Sequence, residues 1–287
     1  MKAELYITSN CINAEGPVWD EDTRTLYFID VEAGNIFSYK ESALTKISVR
    51  EKIGTMALCR NSNRYIVGVW SGIYLLDPLT GEKTRLCDPE SNLPDNRFND
   101  GKADPFGRFL AGTLSMVPYT EPRAALYSIS KDTEVRKLIP NVGLANGLTW
   151  SADGSVFYFI DTDRHTVSRY DYDKATGDIL NGRVIIKVPD EMGVPDGMTI
   201  DSEGSLWVAL WGGKSVTRWN PETGKLIDSI EVPAKNVSSC CFGGKNMDEL
   251  FITTASQNTD LQKYPLAGNV FIAHPGVTGS RTYKYDD

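Results

Sequence analysis

Short apolar strands separated by polar turns recur along the whole chain. In the clearest unit, residues 148–150 and 156–160 are apolar, β-branched or aromatic, which favours strands. The polar residues 151–154 between them predict a tight turn. Residues 166–170 predict a third strand, and residues 173–177 predict a turn into a fourth. No segment keeps an apolar period of 3.6 residues, so little helix is expected.

The four-strand unit repeats. In four units an oxygen-bearing side chain followed by glycine begins the first predicted strand, at Glu15, Asp100, Asn146 and Asp196. The gaps correspond to a period of about 40 to 50 residues, with a further unit at residues 54–58 and a sixth near Ser238. Six strand-rich repeats predict an all-β, six-bladed β-propeller of four-stranded antiparallel blades. Residues 1–10 predict an extra strand that pairs with the last blade and closes the ring, because an open ring would leave exposed strand edges.

The up-and-down strand order assigns the functional residues to one face. The start of each first strand and each loop between second and third strands must lie on the same face of the disc, and radial repetition brings the starts to one axis. Glu15, Asp100, Asn146 and Asp196 are therefore expected to be neighbours. Loops at residues 114–123 and 161–165 are expected to surround them, so this face is the predicted functional one.

Composition limits the classes of function. The 287 residues are 41% hydrophobic, and because the repeat runs from end to end we expect a single domain, 1–287. The net charge of −8, without clustered Lys or Arg, argues against nucleic acid or an anionic membrane as partner. Residues 1–7 lack the apolar stretch typical of a secretory signal, no apolar run is long enough to span a bilayer, and the five cysteines form no CxxC pattern. A reduced, cytoplasmic and monomeric protein is expected.

The repeated polar positions have the chemistry of a cation site. Glu15, Asn146 and Asp196 offer two carboxylates and one amide oxygen, with Asn99 and Asp100 as further candidates. An all-oxygen set without Cys or His suits a hard cation such as Ca²⁺, Mg²⁺ or Mn²⁺. The alternative is turn chemistry, in which each side chain bonds a nearby backbone N–H. Thr55 and Ser238 replace the acid in two blades, so the blade geometry itself does not require one.

The same blocks resemble the regucalcin/gluconolactonase family (senescence marker protein, luciferin-regenerating enzyme). The resemblance covers essentially the whole chain and rests on residues 14–19, 97–102, 145–148, 195–197 and 264–268. It implies that Glu15, Asn146 and Asp196 are metal ligands and that Asp196 also acts as general acid or base. It further implies that Arg97 and Asn99 hold the substrate. Asp100, which follows Asn99 directly, is predicted to bind the substrate as well.

One position departs from the family pattern. Some members carry a substrate-binding Glu in the loop after the second strand of the third blade, and the corresponding residue here is Val117. Glu121 lies in the same loop and is the predicted replacement for substrate binding.

These observations predict metal-dependent hydrolysis of sugar-acid lactones. One divalent cation, Ca²⁺, Mg²⁺, Mn²⁺ or Zn²⁺, would polarise the lactone carbonyl and activate water. Two alternatives stay open. The first is a metal-assisted hydrolase of a more apolar lactone or ester, indicated by Val117, Tyr119, Trp70 and Trp211. The second is a non-catalytic propeller that binds calcium or protein, for which Arg97 and Asn99 beside the ligands would be unnecessary.

Overall fold

Six four-stranded antiparallel sheets, here called blades, form the protein in a computed structural model that describes residues 1–287. Strand β1 (Glu4–Ile7) precedes the first blade, which contains β2 (Ala14–Asp20), β3 (Thr25–Asp30), β4 (Asn35–Lys40) and β5 (Ala43–Ser48). The second blade contains β6 (Ile53–Leu58), β7 (Tyr65–Val69), β8 (Gly72–Leu76) and β9 (Lys83–Cys87). The third contains β10 (Asn96–Ala103), β11 (Phe109–Ser115), β12 (Ala124–Ile129) and β13 (Val135–Val142).

The remaining blades follow the same pattern. The fourth contains β14 (Ala145–Trp150), β15 (Val156–Asp161), β16 (Thr166–Tyr172) and β17 (Ile179–Lys187). The fifth contains β18 (Val194–Ile200), β19 (Leu206–Trp211), β20 (Ser215–Asn220) and β21 (Lys225–Glu231). The sixth contains β22 (Asn236–Gly243), β23 (Glu249–Ala255) and β24 (Val270–Ala273). A 3₁₀ turn at Asp190–Met192 is the single helical element, and no helix is long and apolar enough to cross a bilayer.

Ring closure follows the sequence prediction. Strands pair in sequence order within each blade, and β1 adds to the outer side of β24, with Leu5 opposite Phe271. The sixth blade therefore combines both ends of the repeat region, and β1 covers the edge that β24 would otherwise expose. The predicted six-bladed propeller, its antiparallel four-stranded blades and its scarcity of helix are confirmed.

Apolar side chains pack between neighbouring blades. The inner and middle strands are almost wholly buried, whereas the outermost strands such as β5 (Ala43–Ser48) and β21 (Lys225–Glu231) are mostly exposed. Six apolar clusters result, and most of them join strands of consecutive blades. Burial of this apolar surface, roughly 25 cal/mol per Å², fixes the blades around the axis.

Each innermost strand carries an irregularity near its start. The pairing of first and second strands shifts register at Glu15/Val18, Ile53/Thr55, Phe98/Gly101, Asn146/Leu148, Pro195/Met198 and Val237/Ser239. A bulge bends its strand and re-aims the side chains beside it. The four predicted site positions coincide with these bulges, so the bulges determine where the polar side chains of the axis point.

Glycine after the polar residue has a packing reason at two of the bulges. A Cβ on Gly147 would lie 2.7 Å from the carbonyl oxygen of Asp196, and one on Gly197 would lie 2.0 Å from Oγ of Ser239. Neighbouring innermost strands therefore approach so closely that only glycine fits between them.

A C-terminal segment, residues 274–287, crosses the face opposite the predicted functional face. Gly279 bridges to Asp201 of the fifth blade, and Tyr285 bridges to Cys59 of the second. Residues 280–283 line a cavity of about 50 Å³ together with innermost-strand residues of all six blades. We call this cavity the lower channel and the segment the C-terminal tail. The tail closes the lower channel, which the sequence pattern did not predict.

Candidate functional site

Three buried carboxyl groups meet near the start of the innermost strands. Glu15, Asp100 and Asp196 are each less than a tenth exposed, although they come from the first, third and fifth blades. Burial raises the pKa of Glu15 to about 8, with the negative charge of Asp100 as the next cause. Burial, then Glu15 and Asp100, raise the pKa of Asp196 well above its usual range. The structure thus brings these predicted residues together in an acidic axial site.

Two of the carboxyl groups also form the local hydrogen bonds to backbone N–H groups that the turn interpretation predicts. Glu15 accepts a hydrogen bond through Oε2 from the N–H of Gly16, and Asp100 accepts one through Oδ1 from the N–H of Gly101 at 2.6 Å. The other oxygen of Glu15, Oε1, is buried and has no hydrogen-bond partner. A buried carboxylate oxygen without a donor costs free energy, so local turn bonding does not account for the whole side chain.

Two blades have a hydroxyl residue at this position, and its side chain bonds to the backbone of a neighbouring blade. Thr55 of the second blade donates to the carbonyl of Gly101 at 2.8 Å. Ser238 of the sixth blade donates to the carbonyl of Ala14 at 2.5 Å. Both side chains therefore join neighbouring innermost strands, which explains why only four of the six positions supply functional groups to the axis.

Asn146 is held by hydrogen-bond partners from the third and fourth blades. Its Oδ1 accepts a hydrogen bond from Nδ2 of Asn99 at 3.2 Å, and its Nδ2 donates to Oγ1 of Thr162 at 2.9 Å. Thr162 in turn donates to the carbonyl of Pro195 at 2.7 Å, directly before Asp196. The amide is therefore fixed relative to the Asp196 strand, and its hydrogen bonding lowers the pKa of Asp196 against the larger effect of burial.

Arg97 lies beside this group with little exposure. Its Nη1 donates to Oδ1 of Asn99 at 3.1 Å and to the carbonyl of Phe98 at 2.8 Å, while Nε lies 3.3 Å from the sulfur of Met116. Burial lowers the pKa of the guanidinium, an effect that the charge of Glu32 opposes most strongly. Arg97 and Asn99, the predicted substrate residues, are thus coupled to each other and, through Asn99, to Asn146.

Glu121 is not brought into the axial group. It is exposed in the loop between β11 and β12, and no hydrogen bond or ion pair joins it to the axial residues. Val117 in the same loop is 37% exposed. The hydroxyl of Tyr119 connects the loop to the fourth blade, because it lies within hydrogen-bond distance of two acceptors, the carbonyl of Gly143 at 2.9 Å and the carboxylate of Asp163. Substrate binding by Glu121 stays a prediction.

The axial site fits a cation by its donor chemistry. It combines the partnerless Oε1 of Glu15 with the carboxylate of Asp196 and the amide oxygen of Asn146. Oxygen donors of this kind suit Ca²⁺, Mg²⁺ and Mn²⁺. No group of three or more His, Cys, Asp or Glu side chains has the geometry to hold a metal. The fit therefore depends on counting the amide of Asn146 among the ligands.

Two residues near the axis were assigned no role by the sequence. Thr162 follows the second strand of its blade and lies between Asn146 and Pro195. The sequence signal that could have identified Thr162 was its position in the loop at residues 161–165, which is predicted to lie on the functional face. Lys102, the last residue of the Arg-x-Asn-Asp-Gly-Lys block, points across the channel and donates from Nζ to the carbonyl of Met198 at 2.6 Å.

The fold and the axial site define a class: a six-bladed β-propeller with buried oxygen-bearing side chains on its axis and further polar side chains beside them. A family model, the SMP-30/gluconolactonase/LRE-like region, matches residues 13–256. The chain therefore belongs to the SMP-30/gluconolactonase/LRE-like family.

Individual relatives are similar to this chain over nearly the full length of both chains. Regucalcin of Homo sapiens is 37% identical, covering 99% of this chain and 98% of its own. The structure of a luciferin-regenerating enzyme superposes with a TM-score of 0.90 at 31% identity, covering 99% of this chain and 100% of that one. A regucalcin of Agrobacterium tumefaciens, described as a calcium-binding protein, superposes with a TM-score of 0.93 at 26% identity, covering 100% and 99% of the two chains. The family resemblance seen in the sequence is thereby confirmed.

Proposed function

We propose that this protein is a metal-dependent lactonase that hydrolyses sugar-acid lactones. The observation that carries the proposal is the buried, partnerless Oε1 of Glu15 among the axial carboxylates, beside the hydrogen-bonded pair of Arg97 and Asn99. The family description includes gluconolactonases, which supports this kind of hydrolase. A site of convergent polar groups is what orienting a polar substrate requires.

Glu15, Asn146 and Asp196 would hold one divalent cation at the axis. When bound, such a cation polarises a lactone carbonyl and stabilises the developing oxyanion, a contribution of several kcal/mol. Calcium is favoured among the candidates by the description of the Agrobacterium tumefaciens relative as calcium-binding. Magnesium, manganese and zinc are the further candidates.

Arg97, Asn99 and Asp100 would bind the substrate. The guanidinium of Arg97 presents a planar fork of donors to sugar hydroxyl groups or to a carboxylate. Asn99 fixes the guanidinium through Oδ1 and the amide of Asn146 through Nδ2. Substrate contacts and cation ligands are therefore positioned by one continuous hydrogen-bond network, which aligns the lactone with the ligand oxygens.

Asp196 would take the proton from the attacking water. The water oxygen bonds to the lactone carbonyl carbon, the ring C–O bond breaks, and the proton is returned to the departing ring oxygen. Burial raises the pKa of this carboxyl group, which is the direction that a general base near neutral pH needs. Ligation of a cation lowers the basicity of the same group, so ligand and base roles compete at Asp196.

The test is a set of initial hydrolysis rates measured with a pH indicator on aldonolactones and an apolar lactone. Each rate would be measured after treatment with EDTA and after separate addition of Ca²⁺, Mg²⁺, Mn²⁺ or Zn²⁺. Turnover of aldonolactones that is lost with EDTA and restored by a cation would support the proposal. Absence of turnover with every cation would contradict it.

Two other functions have an observation in their favour. Met116, Val117 and Trp70 are all more than a third exposed, and an apolar surface of this kind would suit a more apolar lactone or ester. The calcium-binding description of a relative favours a non-catalytic calcium-binding propeller. Faster turnover of the apolar lactone than of the aldonolactones would indicate the first function. Cation binding without turnover of any lactone would indicate the second.

We further propose that residues 1–287 act as one domain, as a cytoplasmic monomer whose partner is a small molecule rather than nucleic acid or a membrane. The net charge of −8 supports the absence of nucleic-acid partners.

A further inference from the structure

Lys102 is the one charged side chain that the innermost strands contribute to the lower channel. The other innermost-strand residues lining this cavity are apolar or uncharged, including Thr149 and Thr199. Lys102 is half-buried, and its Nζ donates to the carbonyl of Met198 across the channel at 2.6 Å. The ammonium group is therefore held at a fixed place beneath the axial site.

No carboxylate forms an ion pair with Lys102, since its hydrogen-bond partner is a backbone carbonyl. Its charge nevertheless acts on the axial carboxyl groups, because it favours the ionised forms of both Glu15 and Asp100. A half-buried lysine without a direct carboxylate partner is stabilised by a negative environment. The axial carboxylates supply that environment in their ionised form, which is the form that binds a cation.

The charges of the axial site can be counted. Glu15, Asp100 and Asp196 provide three carboxylates, and Lys102 provides one ammonium group. Arg97 also favours the ionised form of Glu15, less strongly than Lys102 does, and its own strongest charge interaction is with Glu32. Lys102 by itself lowers the net charge of the three ionised carboxylates from three negative charges to two, which one divalent cation neutralises.

We propose that Lys102 is the internal counter-ion of the axial site, limiting it to one divalent cation and setting its affinity for that ion. Lys102 is thus a positioning residue that acts through the axial charges and touches neither substrate nor cation. The inference rests on the cation site of the proposed function, but it concerns binding and not turnover.

The test is a charge cycle measured by isothermal titration calorimetry with Ca²⁺ on the EDTA-treated full-length chain. Lys102→Met removes the positive charge and is expected to lower the dissociation constant for Ca²⁺ at least tenfold. Asp100→Asn removes one negative charge and is expected to raise it at least tenfold. The Asp100→Asn/Lys102→Met double variant restores two net charges and is expected to return close to the wild-type affinity.

Three further variants separate charge from packing. Lys102→Gln keeps a donor for the carbonyl of Met198 without the charge, and it is expected to bind Ca²⁺ as tightly as Lys102→Met. Lys102→Arg keeps the charge and is expected to retain the wild-type dissociation constant. Lys131→Met changes an exposed lysine outside the channel and is expected to leave the constant unchanged. Lys102→Gln also serves as the charge variant if Lys102→Met does not fold.

The outcomes distinguish the two proposals. An unchanged affinity in both Lys102→Met and Lys102→Gln, or a double variant as weak as Asp100→Asn, would overturn the counter-ion role while the proposed function stands. A wild-type chain that binds no divalent cation would overturn both.

Discussion

Asn99 of the third blade donates a hydrogen bond to Oδ1 of Asn146 in the fourth, at 3.2 Å. This bond joins a predicted substrate residue to a predicted cation ligand. The same Nδ2 donates to the carbonyl of Ala145 at 2.8 Å, so the Asn99 amide is held by the strand that carries the ligand. An oxygen lone pair of Asn146 remains for a cation, because a carbonyl oxygen accepts two bonds.

Asn99→Ala is expected to weaken both catalysis and cation binding. The substitution removes the donor to Oδ1 of Asn146 and one of the acceptors of the Arg97 guanidinium, a loss of about 1–3 kcal/mol. We expect kcat/KM for an aldonolactone to fall at least tenfold and the dissociation constant for Ca²⁺ to rise. The control is Asn63→Ala at an exposed position of the second blade. If kcat/KM and the dissociation constant for Ca²⁺ were unchanged in Asn99→Ala, the bond from Asn99 to Asn146 would not position the site residues.

Asp196→Ala is expected to abolish turnover while the fold is retained. The lost carboxylate is both a proposed ligand and the proposed base, and general-base catalysis alone contributes about 10²–10⁴-fold. The blade packing does not depend on this residue, so the unfolding midpoint should remain close to the wild-type value. Rates at saturating cation and far-ultraviolet circular dichroism check both parts. An active, cation-loaded Asp196→Ala variant would contradict the site assignment.

Glu15→Gln is expected to reduce cation affinity and to leave turnover largely recoverable. The substitution keeps the shape of the side chain but removes one negative charge, so the dissociation constant for the cation should rise more than tenfold. Rates measured against cation concentration check this. Activity that stays low at saturating cation would mean that Glu15 acts beyond ligation.

The cation-free protein should lose stability as pH rises. Burial and Asp100 raise the pKa of Glu15 to about 8 in the folded chain, from an ordinary value near 4.5. The folded state therefore binds more protons than the unfolded state between these values, and its stability falls as pH rises through this window. The slope for this one group is at most about 1.4 kcal/mol per pH unit.

Urea unfolding of EDTA-treated protein at pH 5, 6, 7 and 8 measures this slope. Glu15→Gln is the matched variant, because its neutral side chain removes the titrating group and should flatten the profile. Addition of a cation should also stabilise the protein most at the alkaline end, where the carboxylates are ionised. A profile that is equally steep in Glu15→Gln would assign the dependence to other groups.

Much of this architecture follows from local sequence. The turns after the first strands and the β-branched second strands specify the blades, because turn and strand preferences act over a few residues. The polar-glycine pairs mark the bulges, since glycine is required where neighbouring innermost strands come within contact. The sequence alone therefore places four polar residues at one axis: Glu15, Asp100, Asn146 and Asp196.

Other features depend on contacts that no local pattern encodes. The bond from Thr162 to the carbonyl of Pro195 and the bond from Lys102 to the carbonyl of Met198 join residues far apart in sequence, and each accepting group is a backbone carbonyl. A backbone acceptor leaves no signature in the side chains. The C-terminal tail was missed for a similar reason, because it crosses the disc as irregular chain and pairs through isolated bridges.

Tyr285 anchors the tail, and Tyr285→Ala is therefore expected to destabilise the fold. Its ring is 1% exposed within an apolar cluster of the second and third blades, and its hydroxyl donates to the carbonyl of Ser130 at 2.8 Å. Truncation of a buried aromatic side chain costs about 3–5 kcal/mol. Tyr285→Phe removes only the hydrogen bond and should cost about 1 kcal/mol. Arg281→Ala, at a mostly exposed tail position, should change the free energy of unfolding little. Urea denaturation of the three variants gives the comparison, and equal stabilities for Tyr285→Ala and Arg281→Ala would mean that the tail does not hold the blades.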